Sequence, residues 1–166
     1  MRNSLSLTPA ILLAVLGALL FMPLAEAPAA TPRMDGLERA VVRGINHHRT
    51  AAGLRPMRMS GSLARAADFH TREMLVGNYF AHTSRGGGSF ASRLHRFVRA
   101  RAVGETLAWM SSCGRHASRQ IVSLWMHSPP HRAILMSRTL RRVGIARRTG
   151  GLGRGPVCVV TGDFAR

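Results

Sequence analysis

The chain has 166 residues, a formal net charge of +17 and a mean hydropathy of +0.02. That length holds one domain with a substantial core behind a leader, and the absence of any repeat at 20–50-residue periods excludes a solenoid. Two cysteines without paired spacing exclude a zinc ribbon.

Residues 1–30 read as an export signal, 31–39 as a lead-in and 40–166 as a single domain. Arg2 supplies the positive start, Ile11 to Met22 an apolar run, and Ala27–Pro28–Ala29 the small-x-small cleavage pattern. The alternative is an uncleaved anchor, for which the run is short of the roughly 20 apolar residues a span needs. In an exported chain, Cys113 and Cys158 are expected to form one disulfide, joining the segment after Trp109 to the last strand. The alternative is two buried free thiols.

Asp35 to Ala51 reads as the first helix. Asp35 is its cap and Glu38 completes a capping box. Leu37, Ala40, Val41, Ile45 and His48 share one face, and Gly53 and Pro56 end the helix. Ser60 to Val76 reads as a second helix, closed by Gly77–Asn78, with His70 on its apolar face and Asp68 and Glu73 on a solvated one. A loop over 79–88 leads to a short helix from Ser89 to Phe97 with Phe90, Leu94 and Phe97 inward. Ala102 to Met110 is extended. His116 to His127 is helical, with Ala117, Ile121, Leu124 and Trp125 on its buried face. Ser128 is placed to cap a following short helix with Pro129 at its first position, which sets His131 in the first turn. Val143–Arg148 and Val157–Phe164 are β-branched strands joined by a Gly-rich turn, an antiparallel hairpin. Helices first and a hairpin last predict an α+β fold with helices packed on a small antiparallel sheet.

The chain carries 8 His and 7 carboxylates, of which Glu26 lies in the leader. There is no H-E-x-x-H, no G-x-S-x-G and no phosphate loop. His82, Glu105 and His131 remain as candidates because each lies beside a break in regular structure. Glu105 is a lone acid in an apolar stretch, so a His or Arg is expected beside it. His131, at a helix start, is expected to be a neutral imidazole, the form suited to a metal or a general base. Spacing alone leaves open whether the three meet.

A series of short motifs resembles the bacterial branch of the CAP superfamily, also called the SCP domain (cysteine-rich secretory proteins, antigen 5 and pathogenesis-related proteins). Asn46-His47-His48-Arg49 with Gly53-Leu54-Arg55-Pro56 is similar to its N-x-x-R…G-L-x-P turn. Tyr79-Phe80-Ala81-His82, Gly104-Glu105-Thr106-Leu107-Ala108, Trp125 through Arg132, and Val143-Gly144-Ile145-Ala146 follow in the family's order. The resemblance implies a three-layer α-β-α sandwich with a central cleft lined by two His and usually two Glu, which in several members bind a divalent metal. It puts His82, Glu105 and His131 in that cleft. Ser128 stands where eukaryotic members carry the second Glu, and Thr106 where the family has Asn.

The expected function is a secreted, non-catalytic domain whose cleft takes a small molecule, a lipid or an envelope component on His82, Glu105, His131 and Ser128. No cofactor is obligatory, and His82 with His131 are the residues that would hold zinc or another divalent cation. The alternative is a metal-assisted hydrolase with Glu105 as base or ligand and His82 and His131 on zinc. A further alternative rests on charge: every basic residue is Arg, and these are scattered through the sequence, suiting nonspecific contact with an anionic envelope surface and no specific nucleic acid.

Overall fold

The computed structural model describes residues 34–153 and 155–166; the export signal read over residues 1–30 lies outside them. Helix α1 (Gly36–Ala51) starts inside the stretch read as lead-in. Its capping box is formed as expected: Asp35 accepts from the Leu37 and Glu38 main-chain N–H groups at 2.9 and 3.2 Å, and the Glu38 side chain returns to the Asp35 N–H. Glu38 is buried and also accepts from the Arg147 N–H at 3.1 Å, so the cap ties α1 to a strand far along the chain. The helix ends on Gly53, whose φ of +66° is a conformation that favours glycine.

One inward position of α1 differs from expectation. His48 faces solvent, and Arg49 is fully buried. The reason is hydrogen-bonding capacity. The Arg49 guanidinium donates to the carbonyls of Arg55, Leu135 and Ser137 at 2.9, 2.6 and 2.9 Å, and reaches that of Leu140 at 3.5 Å. Asn46, three residues earlier, holds the Met57 main chain from both sides, accepting at 2.8 Å and donating at 3.0 Å. These two side chains give the N-x-x-R motif a structural job: they fix the segment after α1 alongside the later strands.

That segment becomes strand β1 (Arg58–Met59), which the sequence pattern did not signal. Helix α2 (Gly61–Gly77) follows, capped by Ser60 and closed by the left-handed Asn78. Then come α3 (Phe90–His95), β2 (Val103–Met110), α4 (Ala117–His127), α5 (Pro129–Leu135), β3 (Arg142–Leu152) and β4 (Gly155–Ala165). The sheet order is β1-β3-β4-β2. The β2, β3 and β4 pairings are antiparallel as expected, but β1 runs parallel to β3, so the sheet is mixed.

Residues alternate along β4 between two packed faces. Cys158, Val160 and Phe164 join Val41, Ile45, Ile121 and Trp125 in the larger core under α1 and α4. Val159 packs with Leu107 and Met74, and Ala165 with Leu63 and Leu94, under α2 and α3. The result is the α+β, three-layer arrangement. On α4 the buried face uses Val122 in place of Leu124, which is 54% exposed. Ser128 ends α4 and begins α5 without making the expected side-chain cap bond. The Cys113–Cys158 disulfide is formed, with a Cα–Cα distance of 5.6 Å. It anchors the β2–α4 loop to the central strand, and closing its 45-residue separation contributes about 4 kcal/mol in the chain-entropy model.

Helix α2 lies unusually close to β3. A Cβ built on Gly144 would stand 2.0 Å from the Ala64 main-chain nitrogen and 2.2 Å from the Leu63 carbonyl carbon. Neither atom can swing aside, because both belong to the first turn of α2. Gly144→Ala is therefore expected to destabilise the protein by roughly 3 kcal/mol or more. Gly151→Ala, with nothing within 4 Å, should be nearly neutral. Urea unfolding of the two variants checks the pair, and equal stabilities would refute the close approach.

Candidate functional site

Strand β2 occupies one edge of the sheet, opposite β1. Its residue Glu105 points to the α2/α3 side, in register with Asp163 of β4. Glu105 has no exposed side-chain surface. An isolated carboxylate there would be very costly, and both of its oxygens are in fact engaged. Oε1 accepts from His82 Nδ1 at 2.8 Å, and Oε2 accepts from Arg93 Nη2. The expectation of a His or an Arg beside Glu105 is met by both.

Each partner is itself positioned. Arg93 comes from α3, which Ser89 caps through the Ser92 N–H. It is 2% exposed, and its Nη1 donates to the His82 carbonyl at 3.2 Å and to Ser84 Oγ at 3.0 Å. One guanidinium thus grips the carboxylate and the loop that carries His82. That loop has a second anchor. His70 is wholly buried on α2, with Nε2 bonded to the Ala81 carbonyl and Nδ1 to Glu73, both at 2.9 Å. Glu73 also accepts from Ser84 Oγ at 3.0 Å. Burial pushes the Glu73 carboxyl up, but the hydrogen bonds from His70 and Ser84 outweigh it and hold it below the ordinary value. Glu73 is therefore a loop anchor and not part of a solvated face. Asp68, by contrast, forms a two-pronged pair with Arg148 of β3, at 2.7 and 2.9 Å.

The reachable part of the site is imidazole. The His82 side chain is 47% exposed over the sealed Glu105. With Nδ1 turned to Glu105, its Nε2 has no hydrogen-bond partner among the described residues. The His131 ring, from α5, lies with its centroid 6.0 Å from that of His82, and Phe90 stands edge-on to His82 at 6.4 Å. The pKa of His131 is lowered, so it favours the neutral form as expected. The cause differs from the expected helix dipole: burial comes first and the neighbouring His82 second. The structure thus brings His82, Glu105 and His131 together. Ser128 lies at the α4–α5 junction, three residues before His131, and its main-chain carbonyl accepts from the Arg132 N–H at 2.8 Å.

Two residues of the site had no sequence signal of their own. Arg93 is one of many Arg and sits in a short helix. Asp163 lies in the last strand, inside an apolar run. It is fully buried, and neither carboxyl oxygen accepts a hydrogen bond from a conventional donor. Burial first, and then the charge of Glu105, push its pKa far up, with Arg93 pulling partly back. The neutral form of Asp163 is therefore favoured beside Glu105. Arg93 supplies the cation that pairs with Glu105.

Two predictions follow from this arrangement. Arg93→Ala leaves Glu105 uncompensated and should cost about 3–5 kcal/mol of stability. The double variant Arg93→Met/Glu105→Gln should recover part of that loss, because removing both charges is cheaper than removing one. Chemical denaturation of the single and double variants decides it. The second concerns pH. Above the ordinary Asp value of 3.8, folded Asp163 keeps a proton that the unfolded chain releases, so rising pH draws the equilibrium toward unfolding. Asp163→Asn, which keeps the shape without the acid, should gain stability relative to the parent as pH rises above 4. A gap that stays constant with pH would show that Asp163 ionises normally.

The chain has known relatives in sequence and in fold. The Bacillus subtilis protein YkwD is 26% identical over 118 residues, which cover 70% of this chain and 44% of that protein. The crystal structure of an extracellular SCP-domain protein from Bacillus anthracis is 25% identical, with a TM-score of 0.62, covering 79% of this chain and 40% of that one. This chain therefore spans less than half the length of either. NaASP2, solved with Zn2+, shares the fold at 11% identity and a TM-score of 0.56, covering 82% of each chain. An extracellular relative and a formed disulfide are consistent with export. The cysteine-rich secretory protein (CAP) family model matches residues 42–164, and the chain belongs to that family.

Proposed function

We propose that this protein is an exported binding domain whose working surface is the imidazole pair His82 and His131, and that it acts without catalysis. The observation that carries this reading is the engagement of both Glu105 oxygens, by His82 and by Arg93, behind a surface closed to solvent. A general base needs an oxygen within reach of a substrate proton or its water. Glu105 offers none. Its role is to orient His82, fixing Nδ1 as the bonded nitrogen and leaving Nε2 for a ligand.

The donor set also bears on metals. Among the described residues, no group of three or more His, Cys, Asp and Glu is arranged to hold an ion. What fits is a two-histidine site: His82 backed by a carboxylate, the orientation that raises imidazole basicity toward zinc, and His131 held neutral. Water or a ligand would complete the shell. Zinc would supply Lewis-acid chemistry when bound. The cleft does not need it for charge balance, because Arg93 fills that role. A small molecule, lipid or envelope component with a group that pairs with imidazole is the class of ligand that suits the surface. The metal-assisted hydrolase stands as the rival reading because a carboxylate-backed histidine is also what such enzymes use.

Zinc is the direct probe of the imidazole pair. Titrated into the purified protein, it should raise the melting temperature, since an ion at 100 times its Kd stabilises by about 2.7 kcal/mol. The rise should vanish in His131→Ala and His82→Ala. Absence of a shift in the parent would sink the paired-imidazole site. Zinc-dependent hydrolysis of casein, abolished by Glu105→Gln, would replace the binding reading with the hydrolase.

A further inference from the structure

The far edge of the sheet carries a second candidate, unconnected with the imidazole cleft. A groove of about 950 Å³ runs between the β1 segment and the α5–β3 connection; beside a floor that includes Pro56, Met57 and Met59, six of its eleven lining residues are arginines, at 55, 58, 138, 141, 142 and 166. A smaller hollow of about 530 Å³, formed by Arg99, Ala100, Arg101 and Arg166, adjoins it through the shared Arg166. The topology produces this density. Parallel pairing of β1 with β3 sets Arg58 directly opposite Arg142. Like charges in register oppose strand pairing, so the arrangement works against the fold that contains it. Buried Arg49 adds a further cation close to Arg141: burial first, and then the charge of Arg141, lower the Arg49 pKa.

No side-chain carboxylate relieves this charge. Every Asp and Glu among the described residues is committed elsewhere. Asp35 pairs with Arg147 and Asp68 with Arg148; Glu38 caps α1; Glu73 binds His70; and Glu105 and Asp163 share the imidazole site. Within the groove the hydrogen-bond acceptors are main-chain oxygens: Arg142 donates to those of Arg166 and Arg99 at 2.7 and 3.4 Å, and Arg141 to that of Arg138 at 3.1 Å. Arg55, Arg58 and Arg138 are exposed, and their guanidinium groups have no hydrogen-bond partner among the described residues.

We infer that this edge is a binding track for an extended, phosphate-bearing polymer that lacks stacking bases. Length follows from the two adjoining hollows, which exceed what a single phosphate fills. Phosphate follows from guanidinium chemistry, since the planar fork matches its oxygens. The lack of bases follows from the lining, which among the described residues holds no aromatic side chain in either hollow, whereas single-strand sites add aromatic stacking platforms to their phosphate contacts.

The test uses linear inorganic polyphosphate, an oligo-dT of matched charge and phosphatidylglycerol vesicles, with the purified protein over a salt series. Arg55→Gln/Arg58→Gln/Arg138→Gln removes three charges and no internal hydrogen bond, so unchanged melting is expected and is checked first. Polyphosphate affinity should fall at least tenfold in this variant. The slope of log affinity against log salt should shrink by about 2, taking about 0.7 per lost phosphate contact on a single strand. Arg43→Gln/Arg72→Gln/Arg115→Gln, with the same charge change elsewhere on the surface, should lose less than twofold. Equal losses in both triple variants overturn the track and leave diffuse charge. Oligo-dT binding the groove as tightly as polyphosphate overturns the exclusion of bases. Vesicle binding that survives the groove variant, with no polyphosphate binding, overturns the polymer and points to a membrane surface.

Discussion

The burial of one charge organises the site side of this molecule. Glu105 sits on an edge strand with its side chain sealed from solvent, and an ion so placed is tolerable only with full compensation. Compensation comes from two segments that the chain must bring together. Arg93 arrives on α3, and His82 arrives on the loop between α2 and α3. The same guanidinium that neutralises Glu105 also binds the His82 carbonyl. The ion pair therefore does positional work: the exposed imidazole cannot drift without loosening the contact that keeps the acid buried. Asp163, opposite Glu105 in the strand register, is pushed toward its neutral form by burial and then by the charge of Glu105. A second full charge would have had no partner.

This dependence explains why the loop over 79–88, despite its glycine-rich tip, holds a defined functional end. His70 and Glu73, both on α2, anchor it from beneath through Ala81 and Ser84. Helix α2 in turn is fixed against β3 by the close approach at Gly144. The chain of support runs from a glycine on the sheet, through a helix, to a buried histidine, and ends at the half-exposed His82. His131 comes from the other direction, on α5, whose end is held by Arg49 binding the Leu135 and Ser137 carbonyls. Two buried basic side chains, Arg93 and Arg49, thus hold the two halves of the imidazole pair.

Much of this was legible from the residues alone. Capping signals located α1, α2 and α3 within a residue or two, because a cap is a local interaction and leaves a local trace. The hairpin was legible from β-branched runs and a glycine turn. His82, Glu105 and His131 were legible as polar residues at breaks in structure, and the family motifs gave them a common place. What the pattern concealed depends on contacts between distant segments. Strand β1 is two residues long and exists because Asn46 and Arg49 hold its flank against β3. Arg49 displaced His48 from the core because it could satisfy several carbonyls at once, which no propensity scale records. Leu124 fell outside the core because Val122 fits the α1 side of α4. Arg93 was indistinguishable from the other arginines until the fold placed it next to Glu105, and Asp163 looked like one more residue of a strand.

The two edges of the sheet show opposite uses of charge, and scarcity connects them. With seven carboxylates against 24 arginines in the whole chain, the fold cannot balance its cations and must choose where its anions go. It spends them on capping α1, fastening strands to helices, and building the imidazole site. Nothing is left for the β1 edge, where Arg58 and Arg142 oppose each other in register. The arginines' convergence on one groove is a property of the fold, which sets β1 beside β3 and the α5–β3 connection.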